Sequence, residues 1–282
     1  MVVVWILLGL YLIMKFTAMW RIEPPSVDDD NPYLNASKVD TLPEDMRKWI
    51  KPVARGQAKG SFYDRVWKRL LDVGLSFCAL VLLSPLFGIL ALAIFIDDPG
   101  PVFFTQNRVG KGKHYFALHK FRSMKMSTPH DMPTHMLEHP DQYITRMGRF
   151  LRKSSLDELP QIWEIFRGKM SIIGPRPALW NQADLVYERE KYGANDILPG
   201  LTGWAQINGR DELEIPIKAK FDGEYVKKES FAFDVKCFFG TIFSVLRSDG
   251  VVEGGTGEIH RHEQSESHNE KVQEIVCQNR EE

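Results

Sequence analysis

Asp157 and Glu158 stand side by side in RKSSLDELPQ (152–161), and two adjacent carboxylates have either a structural or a chemical use. Structurally, Ser155-x-x-Glu158 matches a capping box: the serine caps a helix start, the glutamate returns a hydrogen bond, and Asp157 favours the positive helix end. Pro160 suits the first turn, where a missing N–H costs least. Chemically, an aspartate held at a helix start is a nucleophile toward phosphorus, provided that cations neutralise the approach of one anion to another. The sequence supplies more cations than two carboxylates need: Lys120, Arg122, Arg146, Arg149, Arg152, Lys153, and Arg176 inside GPRP. Pro175 and Pro177 restrict the backbone around Arg176, whose planar fork suits bidentate contact with phosphate. Some of these charges suit anionic headgroups equally well. Mg²⁺ held by one carboxylate plus substrate phosphates would add neutralisation.

Other reactive residues argue for less. His130, His135 and His139, with Asp131 and Glu138, include an i, i+4 pair, but prolines break any helix that would align them and no zinc motif surrounds them. They read as a solvated loop. Cys78, Cys237 and Cys277 are far apart, odd in number and without a CxxC pair, which argues against a disulfide framework and fits a reducing compartment. With 36 Lys plus Arg against 37 Asp plus Glu, no global field for nucleic acid is implied.

The elements that must position these groups include two that are unlike a soluble protein. Residues 2–14, VVVWILLGLYLIM, are uncharged, and Phe16 to Trp20 extend the apolar character past Lys15, giving about 19 residues, nearly enough to cross a bilayer. They lack a basic n-region and a small-residue exit, and Lys15 and Arg21 follow them, so an uncleaved N-terminal anchor over 1–20 with the remainder in the cytoplasm is favoured over a signal peptide. Val73 to Ile96 is a second uncharged run, with Ser84-Pro85 at its midpoint. Proline removes a helical N–H, and the Ser84 hydroxyl can bond a freed carbonyl. Each arm would be roughly 18 Å long, too short to cross. Cations flank both ends, so a re-entrant hairpin and a kinked full span both remain open.

Residues 21–61 are rich in Pro, Asp, Lys and Gly and read as a linker. VFFTQNRVG and HYFALHKFRSM suggest a small β-hairpin, and residues 127–141 a loop or short helix over the site. SLDELPQIWEIFR (155–167) has the spacing of an amphipathic helix ended by Gly168, and GKMSIIGPRPAL a strand entering a turn. Helices are expected over about 179–192, 218–228 and 234–247, with turns across LPGLTGWAQINGR between them. In the last helix Phe238, Phe239, Ile242, Phe243 and Leu246 form a broad apolar face, suited to core packing or to an in-plane membrane helix. The tail from 253 to 282 is polar and expected to be disordered.

Taken in order, YDRVWKRLLD, LLSP, VFFTQNRVG, HKFRSM, LRKSSLDELPQIWEIFRGKMSIIGPRP and LPGLTGWAQINGR resemble the bacterial sugar transferases that are monotopic phosphoglycosyl transferases. Each motif is weak alone; the ordered set is specific and covers residues 62–252. The resemblance implies an α/β, helix-dominated, membrane-associated domain with a re-entrant helix at about 66–96 broken at Ser84 and Pro85, a small β-hairpin and amphipathic interfacial helices. It implies that Asp157 attacks the β-phosphate of a nucleoside diphosphate sugar, usually a UDP-sugar, releasing UMP and leaving a sugar-phosphoryl aspartate. Polyprenyl (undecaprenyl) phosphate then takes the sugar phosphate. Mg²⁺ is implied at Asp157, and Glu158 as acceptor base or organiser of the metal.

The same resemblance matches Arg152 to an arginine that orients the dyad, Arg122 to the basic residue after Lys120-Phe121, and Arg176 to the phosphate-binding arginine of the PRP turn. Lys120 and Arg210 match substrate-binding positions with less defined roles. Membrane lipids and downstream glycosyl transferases are the implied partners, with no nucleic acid. The implied location is the bacterial inner membrane, with the catalytic part on the cytoplasmic face and a role in starting cell-surface polysaccharide or glycoprotein glycans. A membrane glycosyl transferase that releases UDP and an inactive membrane-tethered scaffold are the competing readings, and intact Asp157, Glu158, Arg152 and Arg176 weigh against the scaffold. No residue in the loops 127–141 and 208–217 specifies the sugar.

Overall fold

A computed structural model describes residues 63–128, 140–209 and 213–247. The anchor at 1–20, the linker at 21–61, the histidines at 130, 135 and 139, Arg210 and the tail lie outside the described residues.

A π-helical turn, Tyr63–Lys68, leads into α1, Arg69–Asp97. This helix continues through Ser84-Pro85, where the sequence suggested two separate arms. Pro85 has no N–H for the Val81 carbonyl four residues earlier, and the Ser84 hydroxyl donates to that oxygen at 2.8 Å. The side chain thus satisfies the acceptor that proline leaves open. Buried residues Asp72, Ser76, Leu80, Ser84, Phe87, Leu90 and Ile94 recur every three or four positions and form one stripe along the whole helix. Leu75, Leu82, Ile89, Leu92 and Ile96 are exposed on the rest of its surface.

Both ends of α1 are fastened to the same body of structure. At its start, Lys68 Nζ donates to Asp234 Oδ2 at 2.7 Å, Arg69 donates to the carbonyls of Ile165 and Phe166, and Asp72 Oδ1 accepts from the Ile172 N–H at 3.0 Å. At its end, Asp97 accepts from Met147 N–H and Asp98 from Met126 N–H, while Arg122 pairs with Asp98. A helix of 29 residues is about 43 Å long if straight. These polar ties therefore hold the two ends of an apolar helix on one domain.

The expected hairpin is present. Strands β1, Phe103–Val109, and β2, Tyr115–Phe121, pair antiparallel from Phe103 opposite Phe121 to Val109 opposite Tyr115. After α2, Arg146–Ser154, a 3-10 turn covers Leu156–Gln161 and α3 covers Ile162–Arg167. The single amphipathic helix expected over 155–167 is thus divided. Strand β3, Ser171–Ile173, is followed by β4, Ala178–Leu179, which joins the free side of β1 and delays the next helix, α4, to Ala183–Glu190. Strand β5, Gly200–Thr202, pairs parallel with β3. A short α5, Trp204–Ile207, and two longer helices, α6, Ile215–Lys228, and α7, Phe231–Arg247, complete the described chain.

Phe87, Leu90 and Ile94 of α1 pack with Phe121 and Leu151, and Leu156 and Leu159 of the dyad-bearing turn close against them. A second cluster, Phe116, Leu118, Ile165 and Met170, fills the space between the hairpin and α3. Where its side chains are described, the apolar face of α7 is not core: Phe238, Phe239, Ile242 and Phe243 are exposed, and Asp234 and Cys237 are buried. Lys68 draws Asp234 inward and so turns the phenylalanines outward.

Candidate active site

The dyad sits where α2 stops abruptly. Ser155 adopts the left-handed conformation at φ 55°, which costs a non-glycine residue about 1 kcal/mol, and its N–H closes on the Arg152 carbonyl. An N-cap serine needs extended backbone, so the capping box does not form: Ser155 makes no side-chain cap, and the Glu158 carboxylate does not return to the serine. Glu158 is instead bound by two cations. Lys120 Nζ, from β2, donates to Oε1 at 2.7 Å. Arg176 donates twice, Nη2 to Oε1 at 2.6 Å and Nη1 to Oε2 at 3.2 Å. Three bonds from two cations thus take the place of the single backbone N–H that a capping box offers to this carboxylate.

Asp157 differs from its neighbour. Among the described residues its carboxylate has no hydrogen-bond or ion-pair partner, although Lys120, Arg152 and Arg176 all lie close enough to favour its charge. Burial pushes the Asp157 carboxyl above its usual range, against the pull of Lys120 and with a further rise from Glu158. Burial also opposes ionisation of Glu158, but Arg176 and Lys120 outweigh it and hold that carboxyl well below the usual range. Environments that push two adjacent acids in opposite directions give them different tasks. Glu158 is a fixed anion that holds the cations in place, and Asp157 is a more basic carboxylate beside those same cations, with its oxygens available to an incoming atom.

The supporting contacts explain why distant motifs occur together. Arg152 leaves α2 on the side of the hairpin exit, where its Nε donates to Ser123 Oγ at 2.9 Å. The GPRP turn is braced by LPGLTG: Gly174 N–H donates to the Thr202 carbonyl and Gly200 N–H to the Pro175 carbonyl, each at 2.8 Å. A Cβ on Gly200 would stand 2.1 Å from the Gly174 nitrogen, and one on Gly203 2.1 Å from the Gly174 oxygen, so neither position has room for a side chain. From the other side Arg108 donates to the Pro177 carbonyl at 3.0 Å. The stretch that reads in sequence only as turns is therefore the seat of Arg176.

Of the residues singled out in sequence, Asp157, Glu158, Lys120, Arg152 and Arg176 come together. Arg122 is held elsewhere: only 7% exposed, it is engaged by the carbonyl and carboxylate of Asp98 at the end of α1. Strand β2 ends at Phe121, so the alternation that would align Arg122 with Lys120 is lost one residue too soon. Ser84 and Pro85 lie on α1, away from the dyad turn in sequence and bonded only within their own helix. Sequence reasoning passed over Ser123, Arg108 and Asp98, whose partners stand 29, 69 and 24 residues away. No group of three or more His, Cys, Asp or Glu side chains suited to a metal occurs among the described residues. A cation here would rest on the open Asp157 carboxylate together with ligand oxygens, a donor set that Mg²⁺ accepts.

Comparison with known proteins gives matches over the same stretch. The profile of the bacterial sugar transferases matches residues 63–248. An undecaprenyl-phosphate glucose phosphotransferase of Komagataeibacter xylinus is 41% identical over 192 residues, 64% of this chain and 36% of the relative. A UDP-N-acetylgalactosamine-undecaprenyl-phosphate N-acetylgalactosaminephosphotransferase of Aeromonas hydrophila is 39% identical over 65% of this chain and 44% of its own length. The exopolysaccharide production protein PSS of Rhizobium leguminosarum bv. phaseoli is 37% identical over 65% of this chain and 96% of its own. The chain thus spans less than half the length of the first two relatives and nearly all of the third.

Proposed function

The chain belongs to the bacterial sugar transferase family, and from that premise we propose that it moves a sugar 1-phosphate from a nucleoside diphosphate sugar, a UDP-sugar, to undecaprenyl phosphate. The observation that carries this reading is the division of labour within the dyad. Glu158 is clamped by Lys120 and Arg176, while Asp157 keeps its oxygens open beside them. Similarity to relatives whose names contain undecaprenyl-phosphate phosphotransferase supports the same donor and acceptor classes.

In the first step an Asp157 oxygen attacks the β-phosphorus; the bond from that phosphorus to the bridging oxygen breaks, and UMP leaves with the electron pair. In the second, an oxygen of the polyprenyl phosphate attacks the same phosphorus and Asp157 departs as a carboxylate, a ping-pong exchange. Lys120, Arg152 and Arg176 place positive charge around Asp157 and so stabilise negative charge on the transferring phosphoryl group. Arg176 gains from its seat between two prolines, because a fork already fixed in position loses little freedom on meeting phosphate. Asp157 would hold Mg²⁺ together with diphosphate oxygens and water, and the ion would supply further neutralisation. Glu158 keeps the cations in register, and Arg210 contributes from outside the described residues.

The long apolar helix α1 supports a membrane placement. Among the described residues, Val66–Asp97 is the one helix long and apolar enough to cross a bilayer. With both its ends tied to one domain, we place it in a single leaflet, re-entrant at Ser84-Pro85, with the domain on the cytoplasmic face of the inner membrane and α7 in the interface.

The test is to incubate the purified protein with Mg²⁺, undecaprenyl phosphate and a panel of UDP-sugars and to identify the nucleotide released. UMP release that depends on Asp157 is expected and would reveal the donor. Release of UDP would mean that only the sugar moves, and no turnover with any donor would favour a scaffold.

A further inference from the structure

The outer face of α2 has no task in the chemistry. Arg146, Arg149, Phe150 and Lys153 fall at i, i+3, i+4 and i+7, which places them on one side of the helix over about 10 Å. All four are exposed, Phe150 by 54%. No acidic residue occurs in Arg146–Ser154, and none of these three cations has an ion pair or hydrogen bond among the described residues. Exposed cations on a soluble surface usually alternate with acids; three unpaired ones around a bare phenylalanine make a one-sign patch with an apolar centre.

The inner face of α2 fixes where this patch points. A Cβ on Gly148 would stand 1.9 Å from the Ser123 carbonyl oxygen, so helix and hairpin exit meet backbone to backbone. Thr145 Oγ1 accepts from Gly148 N–H at 2.8 Å and caps the helix start, and Leu151 is fully buried against Phe87, Leu90 and Ile94 of α1. Asp97, the nearest acid on α1, is occupied with the Met147 N–H. The patch therefore stands beside the C-terminal end of α1, where Leu92, Phe95 and Ile96 are exposed. Apolar surface that passes directly into unpaired cations is the sequence of environments met on leaving acyl chains for phosphate headgroups.

We propose that Arg146, Arg149 and Lys153 dock on the headgroups of anionic phospholipids, with Phe150 inserted between them. This rests on the membrane placement above, and it deepens it by making the lipid composition of the surface part of the site's support. Lys153 precedes Asp157 by four residues, so a headgroup bound there holds the bilayer surface next to the dyad, at the depth where a lipid-linked phosphate arrives.

The test needs no sugar nucleotide, so it can fail while the transferase reading stands, and the reverse. The full chain is reconstituted in vesicles of equimolar phosphatidylcholine and phosphatidylglycerol, excised with a nanodisc-forming polymer, and the retained lipids are quantified. Three basic residues near the surface correspond to roughly a hundredfold preference at the lipid sites they touch, which unaffected boundary lipids dilute to an enrichment of phosphatidylglycerol well below twofold over the whole retained set. The combined variant Arg146→Gln, Arg149→Gln, Lys153→Gln is expected to retain the two lipids as supplied, with an unchanged melting temperature because the inner face of α2 is intact. The charge-preserving pair Arg146→Lys, Arg149→Lys is expected to keep the enrichment. Retention of lipids as supplied by the native chain, enrichment that survives the triple glutamine variant, or its loss in the lysine variant would each overturn the proposal.

Discussion

If Glu158 works by holding Arg176, then removing both must cost less than the two single losses added together. The perturbation is the set Arg176→Ala, Glu158→Gln and their combination. Two charge-assisted contacts join the pair, at 2.6 and 3.2 Å, with side chains 35% and 19% exposed. A hydrogen bond to a charged group contributes about 1.5–3 kcal/mol when buried, and a fully exposed ion pair under about 1. A bidentate pair at intermediate exposure should therefore couple by about 1–2 kcal/mol, a factor of about 5–30 in rate. The assay is nucleotide release at low donor and saturating undecaprenyl phosphate, read as kcat/KM for the four proteins, with thermal unfolding beside it. Each single variant should lose well over tenfold, and the double variant should fall short of the product of the losses by that coupling factor. Coupling below about 0.5 kcal/mol would refute the clamp: Glu158 and Arg176 would then act separately, and Glu158 would need another role, such as base for the acceptor.

Further outcomes follow from the same contacts. Asp157→Asn should abolish turnover while leaving membrane association unchanged. Because burial raises the Asp157 carboxyl, native stability from this group is present at low pH and is lost as pH rises from the unfolded value through the raised folded one, so the amide should equal or exceed the native chain in melting temperature at neutral pH; a large fall would contradict the buried, unpaired carboxylate. Glu158 has the opposite sign, its stabilisation being present above the unfolded carboxylate value and lost on acidification through its much lower folded value; melting curves of Glu158→Gln should therefore converge with the native ones only in strong acid. Ser84→Ala should cost about 1–3 kcal/mol by leaving the Val81 carbonyl unsatisfied, and Pro85→Leu should offset that loss in the double variant by restoring an N–H. Lys68→Ala should destabilise by about 3–5 kcal/mol, since Asp234 is left buried without its cation, and limited proteolysis should then cut near α7.

Sequence patterning reached far where signals are local. The hairpin was legible because Gly110 and Gly112 interrupt two runs of strand-forming residues, and α1 because its apolar run is long. The dyad was singled out, but its local pattern pointed to a capping box; the left-handed Ser155 and the pull of Lys120 and Arg176 defeated that pattern. Arg122, matched by resemblance, is a different case. Its spacing from Lys120 is right for a shared strand face, yet the strand ends between them and Asp98 takes the guanidinium. In α7 a stripe of four exposed apolar residues has the periodicity of a core helix, and periodicity does not say whether protein or lipid lies opposite. What remained hidden is mostly long-range: the seat of Arg176 on LPGLTG and the ties at both ends of α1 join residues that no local window contains.

Those ties also set an order of events during synthesis. The apolar helix leaves the ribosome well before its anchoring partners: Arg69 waits 96 residues for Ile165, Asp72 100 residues for Ile172, and Lys68 166 residues for Asp234. At an elongation rate of about 5–20 residues per second, those waits last roughly five to thirty seconds. Throughout them, nothing later in the described chain fixes the side on which the head of this most lipid-seeking segment will lie. The Asp97 and Asp98 end finds Arg122 and Met147 first, within 50 residues. Topology is thus committed tail-first: the head of the helix is captured when Ile165 and Ile172 arrive and is locked when α7 delivers Asp234, so a chain truncated before Ile165 would be free to thread the bilayer in the wrong sense.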